Sequence, residues 1–285
     1  MINRRINWLS SLEEKNSHAI DLLENKLSAF YRNSSSYYSD IDFTSDNWIN
    51  DNEVAYKDII EMCAGADKVL EVGCGSANIL KHKKIKQSQY FGCDFSVKLI
   101  TKNKLSYPEA NFVVLDKPNI LPYPDNSFDV VYSVFVIEHS CYPSKFLDEC
   151  HRVLRKNGVL IILCPDFLGF GRMSSQRAGF SQGTTTEKLN KKKIIDAIFT
   201  YYDNKVKIPL FCKSLLLTSN SQFYINIFPT VFEDTFSPDV DAVYVTNKKE
   251  IILYLNAKCR IIPNSPHIME YEKKRKLIYL KFVKN

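Results

Sequence analysis

Two glycines and an acid mark a stretch whose residue types suit the binding of a polar ligand. Residues 69–78, VLEVGCGSAN, form an apolar run with one acid, Glu71, that leads directly into Gly73 and Gly75. This pattern predicts a buried strand ending in a tight turn, where glycine lets the backbone bend sharply and approach a ligand closely. A carboxylate near a buried strand end needs a partner, which a cationic or hydroxyl-bearing ligand would supply. A helix is predicted near 77–84, and its first N–H groups suit an anionic or polar group.

A second acid, Asp94, ends the next apolar stretch, YFGCD. It lies about 20 residues beyond the glycines, where nucleotide-binding α/β folds place the acceptor for ribose hydroxyls. The full dinucleotide fingerprint requires a third glycine, and Asn78 occupies that position. A nicotinamide-dependent oxidoreductase, which shares the turn and the distal acid, is therefore disfavoured.

The stretches that position these residues alternate between apolar strands and helical segments. Strands are predicted over 68–72, 90–93, 111–115, 129–134 and 159–163, with helices over 97–105 and 144–155. Further helices are predicted over 5–32, 47–64, 187–202 and 248–255, and an antiparallel hairpin from strands over 259–263 and 277–283. Asn157-Gly158 is expected to stop the helix over 144–155. The alternation predicts an α/β fold with a doubly wound, mostly parallel sheet.

Composition places the chain among ordinary globular proteins. Of its 285 residues, 45% are hydrophobic and 25% are charged. No apolar run approaches the ~18 residues that span a membrane, and the amino terminus lacks an apolar signal core, so a cytoplasmic location is predicted. The eight cysteines show no paired spacing and are expected to be reduced, and no His/Asp spacing predicts a metal. The net charge of +6 is too diffuse to indicate a nucleic-acid partner.

Glu71, Gly73 and Gly75 match the Glu/Asp-x-Gly-x-Gly motif of the class I S-adenosylmethionine-dependent methyltransferases, which this chain resembles. Ala77 stands where many members carry a third glycine. A second match, LPYPDNSFDVVYSVFVIEHS, resembles the LPF-x-DNSFD…VLEH pattern of the subgroup that acts on small molecules and lipids. With DECHRVLRKNGVLIILCPD, which resembles that subgroup's helix and fifth strand, the similarity covers about residues 65–166.

The resemblance implies a Rossmann-like sheet with an antiparallel last strand, and S-adenosyl-L-methionine as cofactor with S-adenosyl-L-homocysteine as product. In the family the motif acid holds the cofactor's amino-acid end, the distal acid takes both ribose hydroxyls, and the residue after it packs on the adenine. The acid ending the third strand accepts the adenine amino group, although the sequence from that acid to Pro122 is one residue longer than the commonest pattern. The implied cofactor-binding residues are Glu71, Gly73, Cys74, Gly75, Asn78, Asp94, Phe95, Ser96, Asp116 and Phe135.

His139 follows the fourth strand at the carboxyl edge of the sheet and is the predicted general base. Methyl transfer from a sulfonium needs a base only when an alcohol must lose its proton, and a histidine suits that task. The alternative is that the Glu-His pair orients loops. Candidate substrate-binding residues are Tyr37, Tyr38 and Trp48, for which apolar packing is the alternative, and Asp166 at the end of the fifth strand.

Four parts are predicted: a helical lead-in and lid (1–50), a cofactor-binding core (51–166), an inserted substrate cap (167–246), and the final helix and strands (247–285). The insertion resembles inserts in methyltransferases of bacterial surface-polysaccharide gene clusters. We therefore predict O-methylation of a small molecule or a sugar or surface-glycan precursor. The alternatives are N-methylation of an amino sugar or other small amine, RNA methylation, and a binding protein without catalysis. No nucleic-acid partner is expected, and the oligomeric state stays open.

Overall fold

A computed structural model describes residues 8–33, 52–170, 185–217, 221–229 and 241–285. The predicted substrate contacts Tyr37, Tyr38 and Trp48 lie outside the described residues.

A seven-stranded sheet forms the centre of the molecule, and a two-stranded sheet lies apart from it. The strands are β1 (Trp8–Ser10), β2 (Val69–Val72), β3 (Tyr90–Asp94), β4 (Asn111–Val114), β5 (Phe128–Val134), β6 (Leu154–Pro165), β7 (Tyr224–Asn226), β8 (Cys259–Ile262) and β9 (Leu277–Lys284). The large sheet has the order β4-β3-β2-β5-β6-β9-β8, in which β9 runs antiparallel to both neighbours and the other pairings are parallel. The predicted doubly wound, mostly parallel α/β fold is confirmed.

Helices connect the strands and cover both faces of the sheet. They are α1 (Ser17–Asn33), α2 (Glu53–Ala64), α3 (Val97–Ser106), α4 (Pro143–Val153), α5 (Phe167–Phe170), α6 (Thr185–Asn190), α7 (Ile194–Tyr202), α8 (Ile208–Leu217), α9 (Lys248–Leu255) and α10 (Pro266–Arg275). Short 3-10 turns lie at Asn78–Lys81 and Ile137–His139, and a π-helical turn, Asp203–Lys207, joins α7 to α8.

Alternate residues of the central strands pack into two separate cores. Leu70 and Val131 contact the cluster that includes residues of α1, α4 and α9. Val69 and Val130 contact the cluster that includes residues of α2 and α10. Because side chains alternate across a strand and both faces are covered, β2 and β5 need apolar residues at nearly every position.

The strand order reverses at β2. From β2 the chain moves outward to β3 and then β4, and afterwards returns to place β5 on the other side of β2. Ligands of open α/β sheets bind beyond the carboxyl ends of the strands at such a reversal. The glycine turn follows β2, and the segment containing His139 follows β5, so both lie at this crevice.

Two predicted helices differ from the structure. The prediction of a helix near 77–84 is wrong, because a 3-10 turn, Asn78–Lys81, lies there. Ala77 before the turn is left-handed and His82 after it is extended, so the turn does not continue as a helix. The helix over 144–155 ends at Val153, and Asn157-Gly158, predicted as its stop, lies inside β6 instead. Asn157 is left-handed there (φ 61°).

The helices predicted over 5–32 and 187–202 are each only partly correct. Residues 8–10 form β1, which pairs antiparallel with β7, and α1 begins at Ser17. The predicted basic helix is interrupted between α6 and α7, where Lys192 is left-handed (φ 56°).

The last two strands are antiparallel neighbours, as predicted, but α10 connects them in place of a tight turn. Sequence reasoning missed this helix, although Ser265-Pro266 is a helix-start signal. The Ser265 hydroxyl accepts the Ile268 N–H there.

Candidate cofactor and active site

A cavity of about 240 Å³ opens at the carboxyl ends of β2, β3 and β5. The predicted site residues that line it are Glu71, Gly73, Cys74, Gly75, Asn78, Asp94, Phe95, Phe135 and His139. Residues that sequence reasoning did not assign also line it, among them Glu24, Leu27, Ser28, Tyr31, Tyr56 and Asp241. The structure therefore brings the glycine turn, the two acids and the histidine to one cavity.

The turn after β2 requires glycine at its first position. Gly73 has φ 75°, and a Cβ atom there would lie 2.3 Å from Cγ2 of Val136. The N–H groups of Gly73 and Cys74 both donate to the Cys93 carbonyl, at 2.8 and 3.0 Å. The turn is thereby fixed between the end of β3 and the segment after β5, with bare backbone facing the cavity.

Glu71 receives its hydrogen bonds from the protein itself. The hydroxyls of Tyr90 and Tyr132, on the strands that flank β2, both donate to Oε2, the second at 2.7 Å. Burial raises the pKa of Glu71 to about 7, although these two hydrogen bonds oppose the rise. The partner that the sequence required is therefore a pair of tyrosines, and both of them use one carboxylate oxygen.

Asp94 is held by backbone groups in a fixed orientation. Its Oδ2 accepts the Gly75 N–H and its Oδ1 accepts the Ser96 N–H, both at 2.9 Å. Burial raises the pKa of Asp94, and these backbone hydrogen bonds oppose that rise. Each carboxylate oxygen has a second lone pair, so the group can still accept two hydroxyls from a ligand.

Asn78 provides an acceptor that no described residue uses. Its Oδ1 is buried and has no hydrogen-bond partner within the described part of the chain, and the residue lines the cavity. Buried polar atoms are nearly always paired, so an unused one beside a cavity fits a polar ligand. The residues around the cavity therefore fit a nucleoside with a charged amino-acid end.

His139 belongs to a three-residue network with Tyr31 and Asp241. The Tyr31 hydroxyl donates to Oδ2 of Asp241 at 2.6 Å and lies 3.1 Å from Nδ1 of His139. The same Oδ2 lies 3.4 Å from Nδ1. The Asp241 side chain is 3% exposed and that of His139 is 19% exposed, so the pair is shielded while the ring still borders the cavity.

Tyr31 and Asp241 come from opposite ends of the chain. Tyr31 continues the stripe of α1 that includes the buried Leu23 and Leu27, and this spacing is the one signal that could have indicated it. Asp241 lies just before Val243 and Tyr244, whose N–H groups both donate to the carbonyl of the residue before His139, at 2.8 and 2.9 Å. Nothing in the local sequence links Asp241 to the cavity.

Among the predicted site residues that the structure describes, Ser96, Asp116 and Asp166 do not line the cavity. The Ser96 hydroxyl accepts the Leu99 N–H and caps α3. The Asp116 side chain is 93% exposed, while the Arg32 guanidinium holds the Asp116 carbonyl at 3.1 Å. Asp166 accepts the Gly169 N–H at 2.9 Å, and burial raises the pKa of Asp166.

Two further features of the site are backbone strain and the state of the thiols. Phe135 is left-handed (φ 56°) immediately after β5, and such strain is concentrated at functional sites. Burial holds the pKa of the Cys74 thiol well above its ordinary value, so this thiol stays neutral.

Within the described residues, no group of three or more His, Cys, Asp or Glu side chains is arranged to hold a metal. None of the described helices is both long and apolar enough to cross a membrane.

Part of the chain is similar to known proteins. Residues 70–162 match the family model described as "Methyltransferase domain". A probable S-adenosylmethionine-dependent methyltransferase of Mycolicibacterium smegmatis is 34% identical over 43% of this chain and 47% of its own length. The tRNA N(3)-methylcytidine methyltransferase Mettl2 of Drosophila melanogaster is 29% identical over 42% of this chain and 39% of its own length. The chain thus spans less than half the length of either relative.

Among solved structures, a chain of the complex between the Haloferax volcanii Trm112 methyltransferase activator and its methyltransferase aligns with a TM-score of 0.36. It is 22% identical, over 45% of this chain and 60% of that chain. The expectation that no nucleic acid is bound stays a prediction. Residues 70–162 are therefore similar to methyltransferase domains, and the M. smegmatis relative with this similarity is named as dependent on S-adenosylmethionine.

Proposed function

We propose that the chain transfers a methyl group from S-adenosylmethionine to a hydroxyl oxygen of a small molecule or a sugar or surface-glycan precursor. When bound, the cofactor supplies an electrophilic methyl on a sulfonium. The observation that carries the proposal is that the Tyr31–His139–Asp241 network borders the same cavity as the glycine turn and Asp94. His139 is the proposed general base, and the other two are positioning residues.

The hydrogen bonds of the network define which imidazole nitrogen can take a proton. The only hydroxyl proton of Tyr31 goes to Asp241, so the Tyr31 oxygen is left as an acceptor toward Nδ1 of His139. Nδ1 must then carry the hydrogen, and Nε2 is the nitrogen with a free lone pair. The shielded Asp241 carboxylate stabilises the imidazolium that forms when Nε2 accepts a proton.

The cofactor is proposed to lie between the glycine turn and Asp94. The Asp94 carboxylate would accept both ribose hydroxyls, Phe95 would pack on the adenine, and Asn78 Oδ1 would accept one polar hydrogen. Glu71, whose hydrogen bonds from the tyrosines both go to Oε2, would meet the charged amino group. These assignments follow the family resemblance residue by residue, and the lining of the cavity supports them.

Binding is tested first, by calorimetry with S-adenosylmethionine and S-adenosylhomocysteine. We expect wild type to bind both, and Asp94→Asn to bind them about tenfold to a hundredfold more weakly, because hydrogen bonds to a charged group contribute about 1.5–3 kcal/mol. Wild-type protein that binds neither compound would refute the proposal.

Catalysis is tested with a labelled methyl donor and a panel of hydroxylated acceptors. A general base typically contributes about 10²–10⁴ in rate, so His139→Ala should lose that much while cofactor affinity stays unchanged. A neutral amine attacks through its own lone pair and releases its proton afterwards. Methylation of an amino sugar that survives His139→Ala would therefore favour the N-methylation alternative.

The positioning role is tested with Asp241→Asn and a matched control. Asp241→Asn should lower kcat, since the imidazolium that forms during the reaction loses its counter-charge, with little effect on cofactor affinity. Asp148→Asn is the control, because Asp148 also accepts a tyrosine hydroxyl, that of Tyr254 at 2.8 Å, but does not line the cavity. Equal effects of the two substitutions would contradict a role for the network.

RNA methylation is the second candidate, favoured by the similarity to a tRNA methyltransferase. Against it, Val134-Phe135-Val136 ends β5 where amino-methylating enzymes of nucleic acids carry an Asn/Asp-Pro-Pro-Tyr-type motif. Unfractionated tRNA in the labelled-methyl assay separates the two candidates: label in tRNA, with none in hydroxylated small molecules, would replace the leading proposal.

The proposed location is the cytoplasm of a bacterium. All eight cysteines are buried and free, which fits a reducing compartment. A role in polysaccharide biosynthesis rests on the resemblance of the insertion alone. A binding protein that has lost catalysis is disfavoured by the intact Glu71, Gly73, Gly75 and Asp94.

A further inference from the structure

Helix α7 packs with its apolar side turned outward. Its buried residues are Ala197 and Thr200, and the buried Asp203 follows one turn later. The exposed residues of the helix are Ile194, Ile195, Ile198, Phe199, Tyr201 and Tyr202. A surface helix of a globular protein shows the opposite arrangement, with the apolar stripe against the core.

Exposed apolar residues also lie on the helices that flank α7 along the chain. Leu189 of α6 and Leu210 and Leu217 of α8 are exposed, Leu217 by 78%. We call this surface, formed by residues 185–217, the α6–α8 face. Single exposed apolar residues are common, but a contiguous group marks a site of interaction with another molecule or a membrane.

Lysines accompany the apolar residues of the α6–α8 face. Residues 185–217 contain seven lysines and three acidic residues, a net charge of +4, in a chain with +6 in total. The run Lys191–Lys193 lies exposed between α6 and α7, and Lys205 and Lys213 are exposed further along. Of the three acids, Asp203 is buried.

We propose that the α6–α8 face binds the surface of an anionic lipid bilayer. Isoleucine, phenylalanine and tyrosine side chains would enter the headgroup boundary, while the lysines contact lipid phosphates, the arrangement of helices that lie in a membrane interface. A second copy of the chain is a poorer partner. A two-fold interface sets a surface against an identical one, so it would pair two surfaces that both carry an excess of lysines.

The α6–α8 face is joined to the edge of the sheet that carries the cavity. The insertion leaves the sheet at the end of β6, where α5 begins two residues later and packs against α8. The ring of Trp8 also contacts Phe211 of α8, with centroids 5.3 Å apart. Binding at this face therefore holds the carboxyl-end edge of the sheet near the bilayer, which suits an acceptor carried by a lipid.

The test is co-sedimentation of the full chain with vesicles of phosphatidylcholine, with and without phosphatidylglycerol. We expect binding only with phosphatidylglycerol, and loss of that binding in high salt. Replacing Lys191, Lys192 and Lys193 by glutamine should weaken it about a hundredfold, since each lysine near an anionic surface contributes about fivefold. The double variant Ile195→Ser with Ile198→Ser should weaken it roughly tenfold or more.

Leu105→Ser is the matched control, because Leu105 is 82% exposed on α3, outside the α6–α8 face. The Leu105→Ser variant should bind vesicles like wild type. All variants should keep their affinity for S-adenosylhomocysteine. This second measurement separates a failure of the membrane proposal from a failure of the proposed activity. Equal binding to both kinds of vesicle would overturn the proposal. A dimer in light scattering that Ile195→Ser with Ile198→Ser dissociates would assign the face to a second copy and overturn it too.

Discussion

Replacing Glu71 by glutamine should remove a pH-dependent cost of folding. The Glu71 carboxyl is buried and its pKa is raised to about 7, from an ordinary value of 4.5. The folded state therefore binds more protons than the unfolded state between these two values, and stability falls as pH rises through that window. Glutamine has nearly the same shape and one oxygen that can accept both tyrosine hydroxyls, but it does not ionise.

The size of the effect follows from the difference between the two pKa values. One pH unit corresponds to about 1.36 kcal/mol for one proton, so the full window corresponds to about 3 kcal/mol. Glu71 contributes fully to stability below pH 4.5 and loses that contribution as pH rises to 7. Compared with wild type, Glu71→Gln should therefore gain up to about 3 kcal/mol in free energy of unfolding as pH rises from 4.5 to above 7.

The measurement is urea unfolding of the ligand-free protein at a series of pH values, for wild type, Glu71→Gln and Glu61→Gln. Glu61 is exposed on α2, so Glu61→Gln removes a carboxylate from the surface and leaves the buried Glu71 in place. We expect Glu61→Gln to follow the wild-type curve. Parallel curves for Glu71→Gln and wild type across the whole window would refute the reasoning, because Glu71 would then be ionised in both states or in neither.

Three further predictions concern the same strand ends. Gly73→Ala should destabilise the fold by about 2 kcal/mol or more in urea unfolding, because of the left-handed backbone and the Val136 contact, whereas Gly65→Ala, with open space around it, should not. Tyr132→Phe removes a hydrogen bond that lowers the pKa of Glu71, so the stability loss should extend to higher pH. Binding of S-adenosylhomocysteine at pH 6 should release protons, measured by calorimetry in two buffers, since its ammonium group favours ionised Glu71.

Much of the fold could be predicted from the chain because its signals are local. Each central strand is a short apolar run, and glycine turns, prolines and capping residues mark where it ends. A prediction failed where contacts with another element decide the local conformation of a residue. Asn157-Gly158 reads as a helix stop, yet Gly158 lies where a Cβ would be 2.9 Å from the carbonyls of Arg155 and Asp129. It therefore serves close packing where the pairing register of β5 and β6 shifts.

The candidate site also has one part that the local sequence predicts and one part that it does not. Its cofactor half is continuous in sequence, so Gly73, Gly75 and Asp94 could be placed together from spacing alone. Its proposed acid–base half is assembled from α1, the segment after β5 and the last part of the insertion. The contact of Tyr31 with Asp241 spans 210 residues, and no local pattern reports a contact of that length.

This assembly gives the insertion a role in positioning His139. The carbonyl of Glu138 accepts two N–H groups from the segment that carries Asp241, so the position of His139 depends on how that segment is docked. The same stretch pairs with β7 through Ile225 and Tyr244, and β7 pairs with β1 just before α1. The lead-in and the insertion therefore support each other and the network. If this coupling is correct, a substitution that loosens the β1–β7 pair should lower methyl transfer while the affinity of the glycine turn for cofactor stays intact.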